Sequence, residues 1–67
     1  MFHKTEFKIT LLRRNVAVED LAKEIGINAA TLHRKMNGTS DFYRDEIERI
    51  RNALDLSQEE VLNIFCR

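Results

Sequence analysis

Apolar residues recur along the chain three and four positions apart, which is the spacing of short amphipathic helices rather than the alternation of strands. This pattern predicts five helical segments separated by brief polar interruptions. The segments are residues 5–14, 18–25, 29–37 and 44–54, and a fifth that begins after Ser57. We therefore expect an all-α fold, a compact bundle of five short helices that forms one domain over residues 1–67.

The residues at the predicted helix ends agree with these boundaries. Thr5 and Asn28 suit the N-cap positions of the first and third helices, because their side-chain oxygens can accept a hydrogen bond from a first-turn amide. Gly26 and Gly38 suit the left-handed conformation that ends a helix, and so close the second and third helices. Asp55 tolerates the same conformation after the fourth helix.

The same periodicity predicts which side chains form the core. In the third helix they are Leu32 and Met36, four residues apart. The other predicted inward positions are Phe7, Leu11, Leu12, Leu21, Ala22, Ile25, Ile27, Phe42, Ile47, Ile50 and Leu54. The outward side of the third helix is then left to Ala29, Ala30, Thr31, His33, Arg34 and Asn37.

The last helix predicts a contact between two copies of the chain. It begins at a capping box formed by Ser57 and Glu60. Its apolar side chains are Val61, Leu62, Ile64 and Phe65, which are too many for one stripe. We expect Val61, Leu62 and Phe65 to share the inward face and Ile64 to project outward. An exposed apolar edge favours an isologous interface at Val61, Ile64 and Phe65. The alternative is that Ile64 folds back on the first helix and the free protein is a monomer.

Composition restricts the class of protein. The single cysteine, Cys66, excludes an intramolecular disulfide and fits a reducing, cytoplasmic setting. No segment approaches the ~18 consecutive apolar residues of a membrane-spanning helix. The sequence lacks a Ser/His/Asp or Cys/His set and a glycine-rich phosphate loop, and His33 has no second metal ligand four residues on. We therefore expect no enzymatic activity, no cofactor and no metal site.

Charge is balanced over the whole chain but segregated along it. The net charge is zero. Residues 1–14 carry four basic and one acidic side chain, and residues 29–44 carry three and one, whereas residues 15–28 and 45–67 carry an acidic excess. This distribution favours one basic face with an acidic back, which is compatible with nucleic acid despite the zero total.

Residues 18–37 have the pattern of a helix-turn-helix, because two short helices are joined only by "GIN" with glycine at the corner. The second helix of such a pair can enter the major groove of DNA. Small residues at its start allow a close approach to base pairs. Thr31 can meet a thymine methyl group, and Arg34 can bond the acceptor edge of guanine. The helix N-terminus favours a phosphate.

The stretch "VEDLAKEIGINAATLHRKMNGTS" resembles the helix-turn-helix of the lambda-repressor-like family of Cro and phage repressors, also called the xenobiotic-response-element type. The matching residues are Leu21-Ala22, Ile25-Gly26-Ile27, Asn28, Thr31-Leu32 and Asn37-Gly38-Thr39. The stretch "IRNALDLSQEEVLNIF" resembles that family's fourth and fifth helices, so the resemblance covers about residues 5–65. It implies a transcriptional regulator of a phage or mobile element, Cro-like or a repressor domain, that binds double-stranded DNA at a palindromic operator, usually as a homodimer.

Several positions depart from the family pattern. Val18 and Ala29 stand where the family often has glutamine, and Ala17 replaces the usual Ser or Thr cap of the second helix. Met36 replaces a frequent glutamate that pairs with an arginine of the first helix. The missing glutamines favour a second hypothesis, a protein-interaction module of the same fold, of antitoxin or antirepressor type, with weak DNA binding.

The resemblance and the predicted helix faces together define the candidate DNA-binding residues. They are Asn28, Ala29, Ala30, Thr31, His33, Arg34, Asn37, Thr39, Ser40, Tyr43 and Arg44. Thr39 and Ser40 follow the third helix, where turn residues often hold a phosphate or bond locally. Lys35 is expected at the side of this helix, with a smaller effect on binding than Arg34. The basic side chains Lys4, Lys8, Arg13 and Arg14 are expected on a solvated face.

Overall fold

The computed structural model describes residues 1–66, and within them the chain forms a compact bundle of short helices without strands. The five α-helices are α1 (Lys4–Arg13), α2 (Val18–Ile25), α3 (Ala29–Met36), α4 (Arg44–Leu54) and α5 (Gln58–Val61). α5 continues as one π-helical turn, Leu62–Cys66. The all-α prediction is therefore confirmed. No helix of residues 1–66 combines the length and the apolar character needed to cross a membrane.

Each of the first four helices ends at a residue in the left-handed conformation. These residues are Asn15 (φ 57°), Gly26 (φ 81°), Gly38 (φ 84°) and Asp55 (φ 53°). After each one, the next amide donates to a carbonyl five residues earlier, at 2.9–3.0 Å. This Schellman arrangement satisfies carbonyls that a helix end would otherwise leave unpaired. It allows four reversals of the chain without proline, and it confirms the predicted ends at Gly26, Gly38 and Asp55.

The helices enclose one apolar core. Its buried side chains are Phe7, Leu11, Leu21, Ala22, Ile25, Leu32, Met36, Ile50, Leu54, Leu56, Ile64 and Phe65. Ile27, Phe42 and Ile47 are half-buried and pack against this core, as expected. Leu12 is a wrong prediction, because its side chain is 80% exposed. α1 buries Phe7, Thr10 and Leu11, and Leu12 lies about a quarter of a turn beyond this stripe.

The start of α1 also differs from the prediction. The helix begins at Lys4, and the N-cap residue is His3, which makes no side-chain cap bond. Thr5 therefore lies inside the first turn rather than at the cap. The main-chain amide of His3 instead donates to the carbonyl of Ile64 at 2.7 Å, so the N-terminal segment is held by the C-terminal turn.

The C-terminal turn overturns the predicted orientation of Ile64. The side chain of Ile64 is 1% exposed, and Phe65 is also buried. A π-helical turn bonds residues five rather than four apart, so each residue turns through a smaller angle and two neighbours can face the core together. Ile64 and Phe65 are thus part of the core of a single chain. Two of the three side chains of the dimer interface predicted at Val61, Ile64 and Phe65 are therefore buried within the protein itself. Leu62, expected on the inward face, is a second wrong prediction here, because its side chain is 44% exposed.

Four phenylalanines form an aromatic cluster that joins distant parts of the chain. Phe2, Phe7, Phe42 and Phe65 lie with ring centroids 4.8–6.3 Å apart, in tilted and edge-on arrangements. Such pairs stabilise beyond their buried area. The cluster therefore holds the N-terminal segment, the loop before α4 and the C-terminal turn on one side of α1.

Arg14 joins the ends of α1, α4 and α5. Its Nε donates to the carbonyl of Leu54 at 2.6 Å, and its guanidinium pairs with Glu60 at 3.1 Å. Glu60 also accepts from the amide of Ser57, which completes the predicted capping box. The Ser57 amide, followed by the Arg14 guanidinium, holds the pKa of Glu60 below its usual value. Met36 leaves no glutamate for Arg14 on α3, and α5 provides one instead.

Replacing Leu32 with alanine is expected to lower the free energy of unfolding by ~2–5 kcal/mol, because a fully buried side chain leaves a cavity in a very small core. Ala30→Ser is the control on the exposed side of α3. Urea denaturation of both variants measures the effect. Equal denaturation midpoints for Leu32→Ala and the wild type would contradict the assigned orientation of α3.

Stability should also depend on the ionisation of Glu60. The pKa of Glu60 in the folded state is lower than its ordinary value of 4.5. The ionised carboxylate therefore stabilises the fold above pH 4.5, and this contribution is lost as the pH falls through the lowered pKa. Glu60→Gln keeps a capping acceptor but no charge. The gap in urea midpoint between the wild type and Glu60→Gln is expected to be larger at pH 7 than at pH 3. A gap of constant size would show that the charge contributes nothing.

Candidate nucleic-acid interface

α2 and α3 are joined by a turn of three residues, 26–28, and pack against each other as a helix-turn-helix. Gly26 supplies the left-handed conformation at the corner. α3 is anchored on its inner side by Leu32 and Met36, both buried as predicted. The opposite side of α3 is therefore presented to solvent over its whole length.

Asn28 fixes the start of α3. Its side-chain oxygen accepts a hydrogen bond from the amide of Ala30 at 2.7 Å, which confirms the predicted N-cap. The amide group of Asn28 is therefore oriented by the helix start, and the residue is exposed at the edge of the α3 surface.

Most of the predicted contact residues lie on the surface. Those exposed are Asn28, Ala30, His33, Arg34, Asn37, Thr39, Ser40, Tyr43 and Arg44. Thr31 is half-buried, and Ala29, predicted to face outward, is half-buried and packs against the core. Ala29 is the first residue of α3, where its methyl group reaches the core beneath the turn.

Two of the exposed α3 side chains, Arg34 and His33, have partners within the protein. Arg34 Nη2 donates to Thr31 Oγ1 at 3.1 Å, so its guanidinium lies along the outer side of the helix. His33 Nε2 lies 3.7 Å from Glu19 Oε2, which links the outer surfaces of α3 and α2. Arg34 keeps most of its five donor protons, because the single bond to Thr31 uses one of them.

The turn after α3 uses its backbone amides within the protein. Those of Asn37, Gly38 and Thr39 donate to carbonyls of α3 at 2.9–3.2 Å. This turn is therefore closed by main-chain hydrogen bonds. The exposed groups that the turn can offer to a ligand are the hydroxyls of Thr39 and Ser40.

Lys4 joins this surface from the start of α1. Its Nζ donates to Asn37 Oδ1 at 2.6 Å, across 33 positions of sequence. The sequence predicts only a general solvated face for Lys4, because no local pattern relates it to α3. The indication in the sequence is that residues 1–14 and residues 29–44 each carry an excess of basic side chains. Packing brings these two segments together where Lys4 meets Asn37.

The cations on this surface are not neutralised by neighbours. Among residues 1–66, Lys4, Arg34 and Arg44 have no carboxylate within ion-pair distance. The carboxylate of Asp41 is exposed in the loop nearby. Three unpaired cations, exposed hydroxyls and a helix surface with small residues form an arrangement that can bind an anionic, grooved ligand.

Lys35 is the main residue whose position differs from the prediction. It is 5% exposed, and its Nζ lies 3.0 Å from Glu46 Oε1 and 2.9 Å from the carbonyl of Asp41. A signal is present in the sequence, because position 35 follows Leu32 by three residues and therefore lies beside it on the surface of α3. A lysine on an apolar stripe requires a buried partner.

The family model of the Cro/C1-type helix-turn-helix DNA-binding domain matches residues 6–66 of the 67-residue chain. This range includes α2, α3 and the loop before α4, and thus nearly the whole surface described above. Comparisons with curated proteins and with solved structures gave no match.

Proposed function

Because the chain belongs to the Cro/C1-type helix-turn-helix DNA-binding domain family, we propose that it is a sequence-specific transcriptional regulator that inserts α3 into the major groove of its operator. The observation that carries this proposal is the surface of α3. Leu32 and Met36 hold one side of the helix in the core, and the unpaired guanidinium of Arg34 lies on the other. An α-helix fits the major groove, which is about 12 Å wide.

Arg34 is the proposed base-reading residue. A guanidinium can donate two parallel hydrogen bonds to N7 and O6 of guanine. The bond from Arg34 to Thr31 holds the side chain along the helix while most of its donors remain free. Ala30 and Thr31, one turn earlier, are small enough to let the helix backbone approach the bases.

The groups at the C-terminal end of α3 are the proposed phosphate contacts. Thr39 and Ser40 offer hydroxyls, Tyr43 offers a phenol, and Arg44 and Lys4 offer cations. Hydroxyls and cations of this kind make up much of the contact that proteins make with the DNA backbone. These contacts would set the register of α3 in the groove.

We further propose that two copies bind a palindromic operator, in the manner of Cro-like regulators of phages or mobile elements, and that the protein acts in the cytoplasm. A two-fold pair places its α3 helices in successive major grooves, ~34 Å apart. Leu62 is 44% exposed on the C-terminal segment and borders a groove lined also by Val61, Glu48, Arg51 and Gln58. This surface replaces Ile64 as the proposed contact between the two copies.

Selecting bound sequences from a random duplex pool with the purified protein is expected to recover one operator sequence. On that operator, Arg34→Ala should cost ~1–3 kcal/mol of binding free energy and relax one base preference. Arg13→Ala is the control, because it removes an exposed arginine at the other end of α1 from Lys4. An equal loss on operator and random DNA would make Arg34 a phosphate contact. Failure to select any sequence would favour the protein-interaction module.

The proposed pairing predicts two protein copies on each operator duplex. Sedimentation of the complex at micromolar concentration should give this stoichiometry for the wild type, and Leu62→Lys should weaken the cooperativity of binding. Leu12→Lys is the matched control, because Leu12 is the other strongly exposed leucine. A single copy per duplex would exclude the pair. Unchanged cooperativity in Leu62→Lys would place the contact elsewhere.

A further inference from the structure

A buried lysine lies directly behind the proposed DNA-binding surface. α3 buries three side chains, Leu32, Lys35 and Met36, and the charged one is as inaccessible as its apolar neighbours. Its partner Glu46, in the first turn of α4, is 7% exposed. Nζ of Lys35 and Oε1 of Glu46 lie 3.0 Å apart.

The ammonium group of Lys35 also contacts two other parts of the loop between α3 and α4. It donates to the carbonyl of Asp41 at 2.9 Å and lies 4.3 Å from the centre of the Tyr43 ring. Glu46 in turn accepts from the amide of Tyr43 at 2.8 Å. One buried cation therefore reaches the middle of the loop, its end and the helix that follows it.

Such a pair is more informative about geometry than about stability. Removing two charges from water costs free energy that an apolar pair of similar size would not, so a buried ion pair is weak evidence for stabilisation. Its hydrogen bonds are directional, however, and the three ammonium protons of Lys35 are matched by a carboxylate, a carbonyl and an aromatic face. The pair fixes the distance between α3 and the loop in a way that apolar contacts do not.

We propose that Lys35 and Glu46 are positioning residues for DNA binding. They do not touch DNA; they hold residues 39–44 against α3, so that Arg34 and the groups of the loop meet bases and phosphates at the same time. The DNA-binding half of this inference rests on the proposed function. The positioning half concerns the free protein and is tested independently of any DNA.

The experiment compares two double variants of equal charge change. Lys35→Met with Glu46→Gln removes the pair, leaves no buried charge unpaired, and keeps an acceptor for the Tyr43 amide. Arg14→Met with Glu60→Gln is the control, because that pair also combines a cation, a carboxylate and a backbone carbonyl, away from α3. Amide hydrogen exchange is measured on each free protein, followed by operator affinity as a function of salt.

In the Lys35/Glu46 variant, the amides of the loop before α4 should exchange about tenfold faster, because local opening then costs less. Operator affinity should fall about tenfold, since loosely held groups bind less well than positioned ones. The slope of log affinity against log salt should shrink by about one, because Arg44 is the one basic side chain among residues 39–44 whose phosphate contact the loosened loop would lose. The Arg14/Glu60 control should leave the loop exchange and the salt slope as in the wild type.

If the loop amides of the Lys35/Glu46 variant exchange as slowly as in the wild type, Lys35 and Glu46 do not position the loop. If the variant binds the operator with wild-type affinity, their positioning does not matter for DNA binding. If this variant does not fold, Lys35→Gln with Glu46→Gln is used instead, because it also leaves no buried charge unpaired and keeps polar groups at both positions. A smaller acceleration of the same amides is then expected, and no acceleration would overturn the proposal. A wild type that selects no operator would refute the proposed function, while the exchange comparison still decides the positioning.

Discussion

The burial of Leu32 determines which side chains α3 exposes on the surface of the protein. α3 has only eight residues, and once Leu32 and Met36 are in the core, its rotation is fixed and Arg34 lies on the outside. The chain has one cysteine and hence no internal disulfide to hold a weaker core together. In a domain of this size a few buried side chains supply much of the stability. The same contacts therefore stabilise the fold and orient the surface that we propose binds DNA.

Further side-chain contacts then place the rim of this surface. Lys4 brings the start of α1 to Asn37, Lys35 joins α3 to Glu46, and Phe42 anchors the intervening loop in the aromatic cluster. Each contact joins elements that are distant in the chain or separated by a loop. The surface is thus a property of the packed bundle, whereas α3 alone would present only its own outer side.

Local signals predicted most of the fold. Gly26, Gly38 and Asp55 mark helix ends because the left-handed conformation depends on one residue, and Asn28 caps α3 within its own first turn. Features that depend on contacts between distant residues were not predicted. Ile64 faces inward because of a π-helical turn that is hydrogen-bonded to the N-terminal segment. The partner of Lys35 lies across a loop, so that spacing along one helix gives no indication of it. The position of Arg34 on the surface followed from helix periodicity, whereas the approach of Lys4 required the tertiary fold.

Nuclear magnetic resonance of the free protein, titrated with its selected operator duplex, tests the central claim most directly. If α3 and the loop after it bind DNA, the largest changes in amide signals should fall within residues 28–44 and at Lys4, with small changes on the outer side of α1 around Leu12. Changes concentrated on α1 or α5 with little effect on α3 would contradict the claim that α3 enters the groove.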